Sequence, residues 1–127
     1  MVPERESPIV HHLQIAIPPG GEAQARAFYV LLVGMVEVPK PKALAARGGL
    51  WLDGGAIGLH LGVDAEFRPA TKAHVALSVE RLDGLRERLR LAGYPIVEDE
   101  ELPGHERFYT SDPFGNRVEF LRPMLDG

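Results

Sequence analysis

The sequence predicts an α+β fold of two tandem modules, each a strand, a helix and three further strands. The first observation is a repeat. The pattern of residues 9–62 returns over residues 74–122, across a stretch, 63–73, that is polar and has no period. The second is parity: four strands each carry one apolar face and one face of small residues, histidines or a carboxylate. The third is size. Each copy holds roughly 60 residues, which is marginal for folding alone, so the copies must share a core. Residues 1–127 are therefore read as one domain, with module one at about 9–62, a linker at 63–73 and module two at about 74–122.

The elements follow in order. Residues 9–17, IVHHLQIAI, alternate as a strand, with Leu13, Ile15 and Ile17 on one face, and Pro18-Pro19-Gly20-Gly21 ends it. A helix is expected from about Glu22 to Val33, burying Ala25, Phe28, Leu31 and Leu32 and stopped by Gly34. Residues 35–38 read as a short strand, and 39–49 as a loop or poorly formed helical turn. Residues 50–53 and 56–61 read as a hairpin across Gly54-Gly55. After the linker, His74 to Val79 alternate like the first strand. A helix follows with Leu82, Leu85 and Leu89 inward and Gly93 at its end, without a convincing N-cap. Residues 94–98 read as a strand and Glu98–Glu101 as a solvated acidic loop, with His105 in a further loop. Residues 107–111 and 117–121 form a hairpin across Asp112-Pro113-Phe114-Gly115-Asn116, read simply as a turn.

Composition removes several function classes. Apolar residues make up 45% and charged residues 25% of the 127, as in an ordinary globular chain. A formal net charge of −4 argues against nucleic acid as partner. The absence of cysteine excludes thiolate metal sites, disulfides and thiol nucleophiles. No stretch is apolar and long enough to span a bilayer, and MVPERESPIV contains no apolar signal-peptide core. A cytoplasmic protein with a small-molecule substrate and no membrane partner is expected.

The chemistry is expected on the faces opposite the core. These carry His12/Gln14/Ala16, Gly58/His60/Gly62, His74/Ala76/Ser78 and Glu119/Leu121. A sheet face of small residues leaves room for a ligand. Two histidines and a carboxylate converging there make a divalent-metal set with open positions. Within the repeat, His12 matches His74, and Gly58 matches Glu119. A one-residue slip would exchange His11, read as packed or partly exposed, for His12.

With HHLQIAI, AFYVLLVGM, HVALSV and FYTSDPFGNRVEF in this order, the chain resembles the glyoxalase / bleomycin-resistance / extradiol-dioxygenase superfamily, also called vicinal oxygen chelate proteins, over roughly residues 9–122. The resemblance implies paired βαβββ modules forming a curved mixed sheet around a metal cavity. It implies His12, His74 and Glu119 as ligands of a divalent metal ion: Fe, Mn, Ni, Co or Zn. Glyoxalase I enzymes supply a fourth ligand from the last strand of module one, where this chain is read as having Gly58. His60, two residues further along that face, stands as a substitute ligand or a base, and Tyr109 as a second proton-handling group. Arg47 and Arg68 flank the cavity elements as candidates for binding an anionic substrate. Trp51 is read as core or dimer interface.

The resulting expectation is a homodimeric metalloenzyme of isomerase, lyase or dioxygenase type acting on a small oxygen-chelating substrate. Two alternatives stand beside it: a drug- or metabolite-sequestering binder of the bleomycin-resistance type, and a metal-dependent antibiotic-modifying transferase.

Overall fold

A computed structural model describes residues 5–100 and 102–124. Strand β1 (His12–Ile17) leads to helix α1 (Glu22–Ala25), which runs on as a π-helical stretch (Arg26–Leu32). Then come β2 (Glu37–Val38), a one-turn helix α2 (Lys42–Ala45), β3 (Leu50–Gly54) and β4 (Ile57–Val63). The second half repeats the order as β5 (Val75–Ser78), α3 (Leu82–Leu91), β6 (Val97–Glu98), β7 (His105–Ser111) and β8 (Arg117–Pro123). The strands form two four-stranded mixed sheets, ordered β1-β4-β3-β2 and β5-β8-β7-β6. In each sheet the first strand lies parallel to the last and the other pairs are antiparallel. This is the paired βαβββ architecture. Among the described residues no helix is long and apolar enough to cross a membrane.

One core serves both sheets. Ile17, Leu59 and Leu61 from the first sheet join Val118 and Phe120 from the second, with Phe28 and Leu82, Leu85 and Leu89 from the helices. Phe28 meets Tyr94 edge to face at 5.0 Å, which ties the first helix to the segment after α3. Helix α3 fits the predicted stripe, and no side chain caps its N-terminus. Gly34 and Gly93 end the two helices at φ +95° and +90°, a region closed to most side chains.

Several expectations need correction. The first helix widens to π geometry, with the Val33 N–H donating to Phe28 O at 2.9 Å, five residues back. The wider turn rotates Tyr29 into the core and leaves Leu31 78% exposed, so the buried set is Ala25, Phe28 and Tyr29. Leu13, one residue into the edge strand β1, and Ile57, the first residue of β4, are also exposed. Residues 9–11 precede β1 rather than extend it, with Ile9 and Val10 exposed. His105 opens β7 instead of lying in a loop. Of the acidic run, Glu98 pairs with Arg86 at 2.9 Å and Asp99 with Arg107 at 3.7 Å, while Glu101 lies outside the described residues.

The largest correction concerns residues 112–116. The segment is a turn, but Asp112 and Asn116 are buried, at 4% and 2% exposure, and they join the two modules. The Asp112 carboxylate accepts from the Tyr29 hydroxyl at 2.7 Å, from the Phe114 and Asn116 N–H groups at 2.9 Å each, and from Asn116 Nδ2 at 3.0 Å. Asn116 Nδ2 also donates to Ala16 O, and its Oδ1 accepts from the Ala70 N–H, both at 2.9 Å. One side-chain pair thus binds β1, the first helix, the linker and the β7–β8 turn. Burial, then the carboxylate beside it, raise the Tyr29 pKa well above the usual phenol value, so the hydroxyl keeps its proton and donates. In urea unfolding, Asp112→Ala is expected to lose about 3 kcal/mol or more, since it orphans several buried donors. Tyr29→Phe is expected to lose about 1 kcal/mol, since the carboxylate keeps its other donors.

Candidate functional site

In the first sheet, His12 on β1 and His60 on β4 share a face with Trp51 on β3. Trp51 is paired directly with His60 and Gln14 with His60 across the strands. The three rings stack. His12 lies 4.4 Å from His60 at 19°, and His60 lies 4.2 Å from Trp51 at 4°. Trp51 is therefore a half-buried plate under His60, neither core nor fully free. Gly58 leaves the space this requires, since a Cβ there would meet His60 Nε2 at 3.3 Å and His12 Cβ at 3.6 Å. His11 stands outside the stack, with its Nδ1 3.0 Å from His12 Nδ1. The rings border a cavity of about 460 Å³ that Lys40 and Arg47 also line. The Lys40 ammonium donates to Gly48 O, closing the segment that carries α2 and Arg47. Burial foremost, then the charges of His12, His11 and Lys40, lower the His60 pKa below 6.5, so at neutral pH the ring is uncharged with a free lone pair.

In the second sheet, His74 directly precedes β5 and Glu119 sits mid-β8, 5% exposed. His74 Nε2 lies 2.9 Å from Glu119 Oε1, and His74 Nδ1 lies 2.9 Å from Lys72 O. Arg107 Nη1 stands 3.5 Å from Glu119 Oε2 and donates to the Tyr109 hydroxyl at 3.0 Å. The Arg117 guanidinium lies 3.7 Å above the Tyr109 ring, and His74 meets that ring edge-on at 5.4 Å. Tyr109 is thus a buried phenol gripped from two sides, its hydroxyl oxygen already an acceptor.

The strand register corrects the matching of the repeats. Gln14 pairs with His60 and Ala76 with Glu119, while Trp51 pairs with His60 and Tyr109 with Glu119. With His12 matched to His74, the counterpart of Glu119 is His60, not Gly58. The position read as vacant holds an imidazole. The structure brings His12 to His60, and His74 to Glu119 and Tyr109. It does not bring the two pairs together: among the described residues no three histidines or carboxylates cluster closely enough to hold a metal ion. Arg47 lies by the first pair, and exposed Arg68 lies in the linker on a different cavity. Arg107 and Arg117 were missed, although each shares its parity with a residue already singled out, Tyr109 and Glu119.

The model of the Glyoxalase/Bleomycin resistance protein/Dioxygenase superfamily matches residues 10–120. The chain belongs to this superfamily. A solved glyoxalase family protein from Bacillus anthracis is 41% identical, with 95% of this chain and 99% of that one covered at a TM-score of 0.87. TnmS3, an antibiotic binding protein from Streptomyces sp. CB03234, is 22% identical over 94% and 100% of the chains, at 0.69. The fosfomycin resistance protein FosX from Listeria monocytogenes is 14% identical over 97% and 96%, at 0.68. The last two are similar in fold alone. No curated protein matches the sequence. Members of the superfamily bind small molecules and commonly bind divalent metals.

The lowered His60 pKa fixes a sign. As pH falls below 6.5, the unfolded ring takes up a proton that the folded ring resists, so the unfolded state is favoured. Stability is therefore full above the ordinary histidine pKa and declines as pH falls through the lowered folded value. Wild type is expected to lose more stability than His60→Gln between pH 7 and pH 5, read as the difference in urea midpoints.

Proposed function

We propose that this protein is a divalent-metal-dependent enzyme acting on a small oxygen-chelating substrate, with His12, His74 and Glu119 as ligands and His60 as fourth donor or base. One observation carries the reading. Lys72 O takes the Nδ1 side of His74, leaving Nε2 against Glu119 Oε1. Both ring nitrogens face acceptors, and a neutral imidazole has one proton to give. His74 and Glu119 would together hold a cation, and a backbone carbonyl on the far nitrogen is the usual orienting partner of a ligating histidine. Arg107 faces the other carboxylate oxygen of Glu119, Oε2.

Bound there, a divalent ion supplies Lewis-acid polarisation of a substrate oxygen. This chain's own groups do the rest. His60, uncharged at neutral pH, accepts a proton on the sheet-one side, and the Tyr109 hydroxyl, held by Arg107, donates or accepts one on the sheet-two side. Arg47 and Lys40 favour an anionic substrate above the His12–His60 pair. The set suits isomerase, lyase or oxygenase chemistry. Metal-free sequestration of a drug or metabolite is the second reading, supported by the size of the sheet-one cavity, about 460 Å³.

The separation of the two pairs supports a homodimer in which His12 and His60 of one protomer face His74 and Glu119 of the other. Calorimetric titration of chelator-treated protein with Zn(II) or Mn(II) is expected to give stoichiometric binding, lost in His12→Ala and in Glu119→Ala. Mixing those two variants under exchange is expected to restore about a quarter of the sites, because half of the dimers are mixed and each mixed dimer has one intact site of two. Wild-type protein that binds no metal favours the sequestering reading. Metal binding without complementation refutes the shared site.

A further inference from the structure

The free edges of the two sheets border a second cavity, of about 210 Å³, lined by β1 residues 13 to 16, by the segment opening β5, and by Arg68, Asn116 and Arg117. Its wall is mostly hydrocarbon, from Leu13, Ile15 and Val75. Arg68 and Arg117 also line it, and among the described residues no aspartate or glutamate does. Among the described residues, neither Arg68 nor Arg117 forms an ion pair, although carboxylates outnumber cations in the chain. Arg117 is also pre-organised, with its guanidinium stacked 3.7 Å over Tyr109, so little rotamer freedom remains to be lost when it binds. Leu13, 45% exposed, supplies part of the apolar wall.

We propose that this cavity binds a small apolar carboxylic acid, with the carboxylate on Arg117 and Arg68 and the hydrocarbon against Leu13, Ile15 and Val75. Size sets the class. A cavity of about 150 Å³ accepts a benzene ring, so about 210 Å³ accommodates a ring or branched chain with its carboxylate. A lone inorganic anion would leave the apolar wall wet, and a neutral hydrocarbon would leave two guanidiniums without a partner. His74 lines the same cavity, so an acid held here reaches toward the His74–Glu119 pair. That the bound acid is the substrate rests on the proposed metal function, whereas the acid site itself does not.

Benzoate titrated into chelator-treated full-length protein, followed by amide chemical shifts, tests the site without metal. Saturable shifts are expected at residues 13–16, 73–75 and 116–117. Benzamide and inorganic phosphate are each expected to bind at least about tenfold more weakly, because one lacks the charge and the other the hydrocarbon. Arg117→Gln is expected to weaken benzoate at least about tenfold, Arg68→Gln to weaken it less, and Arg117→Lys to fall between wild type and Arg117→Gln. Should Arg117→Gln unfold, Leu13→Asp is the substitute, with a loss of benzoate binding expected. Benzamide binding as tightly as benzoate, or Arg117→Gln and Leu13→Asp binding benzoate like wild type, overturns the proposal. Phosphate binding as tightly as benzoate reduces the site to an anion patch and overturns it also. Benzoate binding in a protein that takes up no metal leaves this site standing while the metal reading fails.

Discussion

A buried carboxylate–amide pair holds this molecule in register. Asp112 and Asn116 lie in module two, yet their partners include Tyr29 on the first helix, Ala16 at the end of β1 and Ala70 in the linker. Each sheet has an open edge, β1 or β5, and among the described residues no strand pairing joins the sheets. The relation between the modules therefore depends on the shared helix core and on this polar junction. A hydrophobic core tolerates sliding, because its attraction is not directional. Six hydrogen bonds to two side chains do not, because each has a narrow range of distance and angle. The junction fixes where β1 stands relative to β5 and β8, and so where one pair of candidate ligands stands relative to the other.

The repeat gives the two sheets one scaffold and lets their chemistry diverge. At equivalent register positions the first sheet carries His60 on Trp51 and the second carries Glu119 on Tyr109. Both slots pair a donor residue with an aromatic residue on the adjacent strand. One donor is an uncharged nitrogen kept so by burial, and the other is a carboxylate oxygen steadied by a guanidinium. Matched positions thus present a borderline nitrogen in the first sheet and a hard oxygen in the second.

Much of this was legible in the sequence, and the reason is periodicity. Alternation in HHLQIAI and HVALSV assigned His12 and Ala76 to their faces, and VEF turned Glu119 away from Val118 and Phe120, which are fully buried. Periodicity fails where an element departs from its ideal repeat. The π-helical stretch exchanged Tyr29 for Leu31 in the core, a change that no three-and-four spacing rule anticipates. It also fails for pairing register, which depends on two strands at once. IGL and VEF look alike as strings, so Gly58 was set against Glu119, whereas the hydrogen-bond ladder places His60 there. The Asp112–Asn116 junction was read as a simple turn because turn residues explain themselves locally, and only the fold reveals that their side chains reach 46 to 100 residues along the chain.

The ring stack has an optical consequence. Trp51 is the only tryptophan in the sequence, and it lies face to face with His60 at 4.2 Å. All indole emission from this protein therefore originates beside one candidate ligand. Charging, coordinating or displacing that imidazole changes the nearest neighbour of the fluorophore. The protein carries its own dye at its most informative address, and events there can be followed in dilute solution with no label attached.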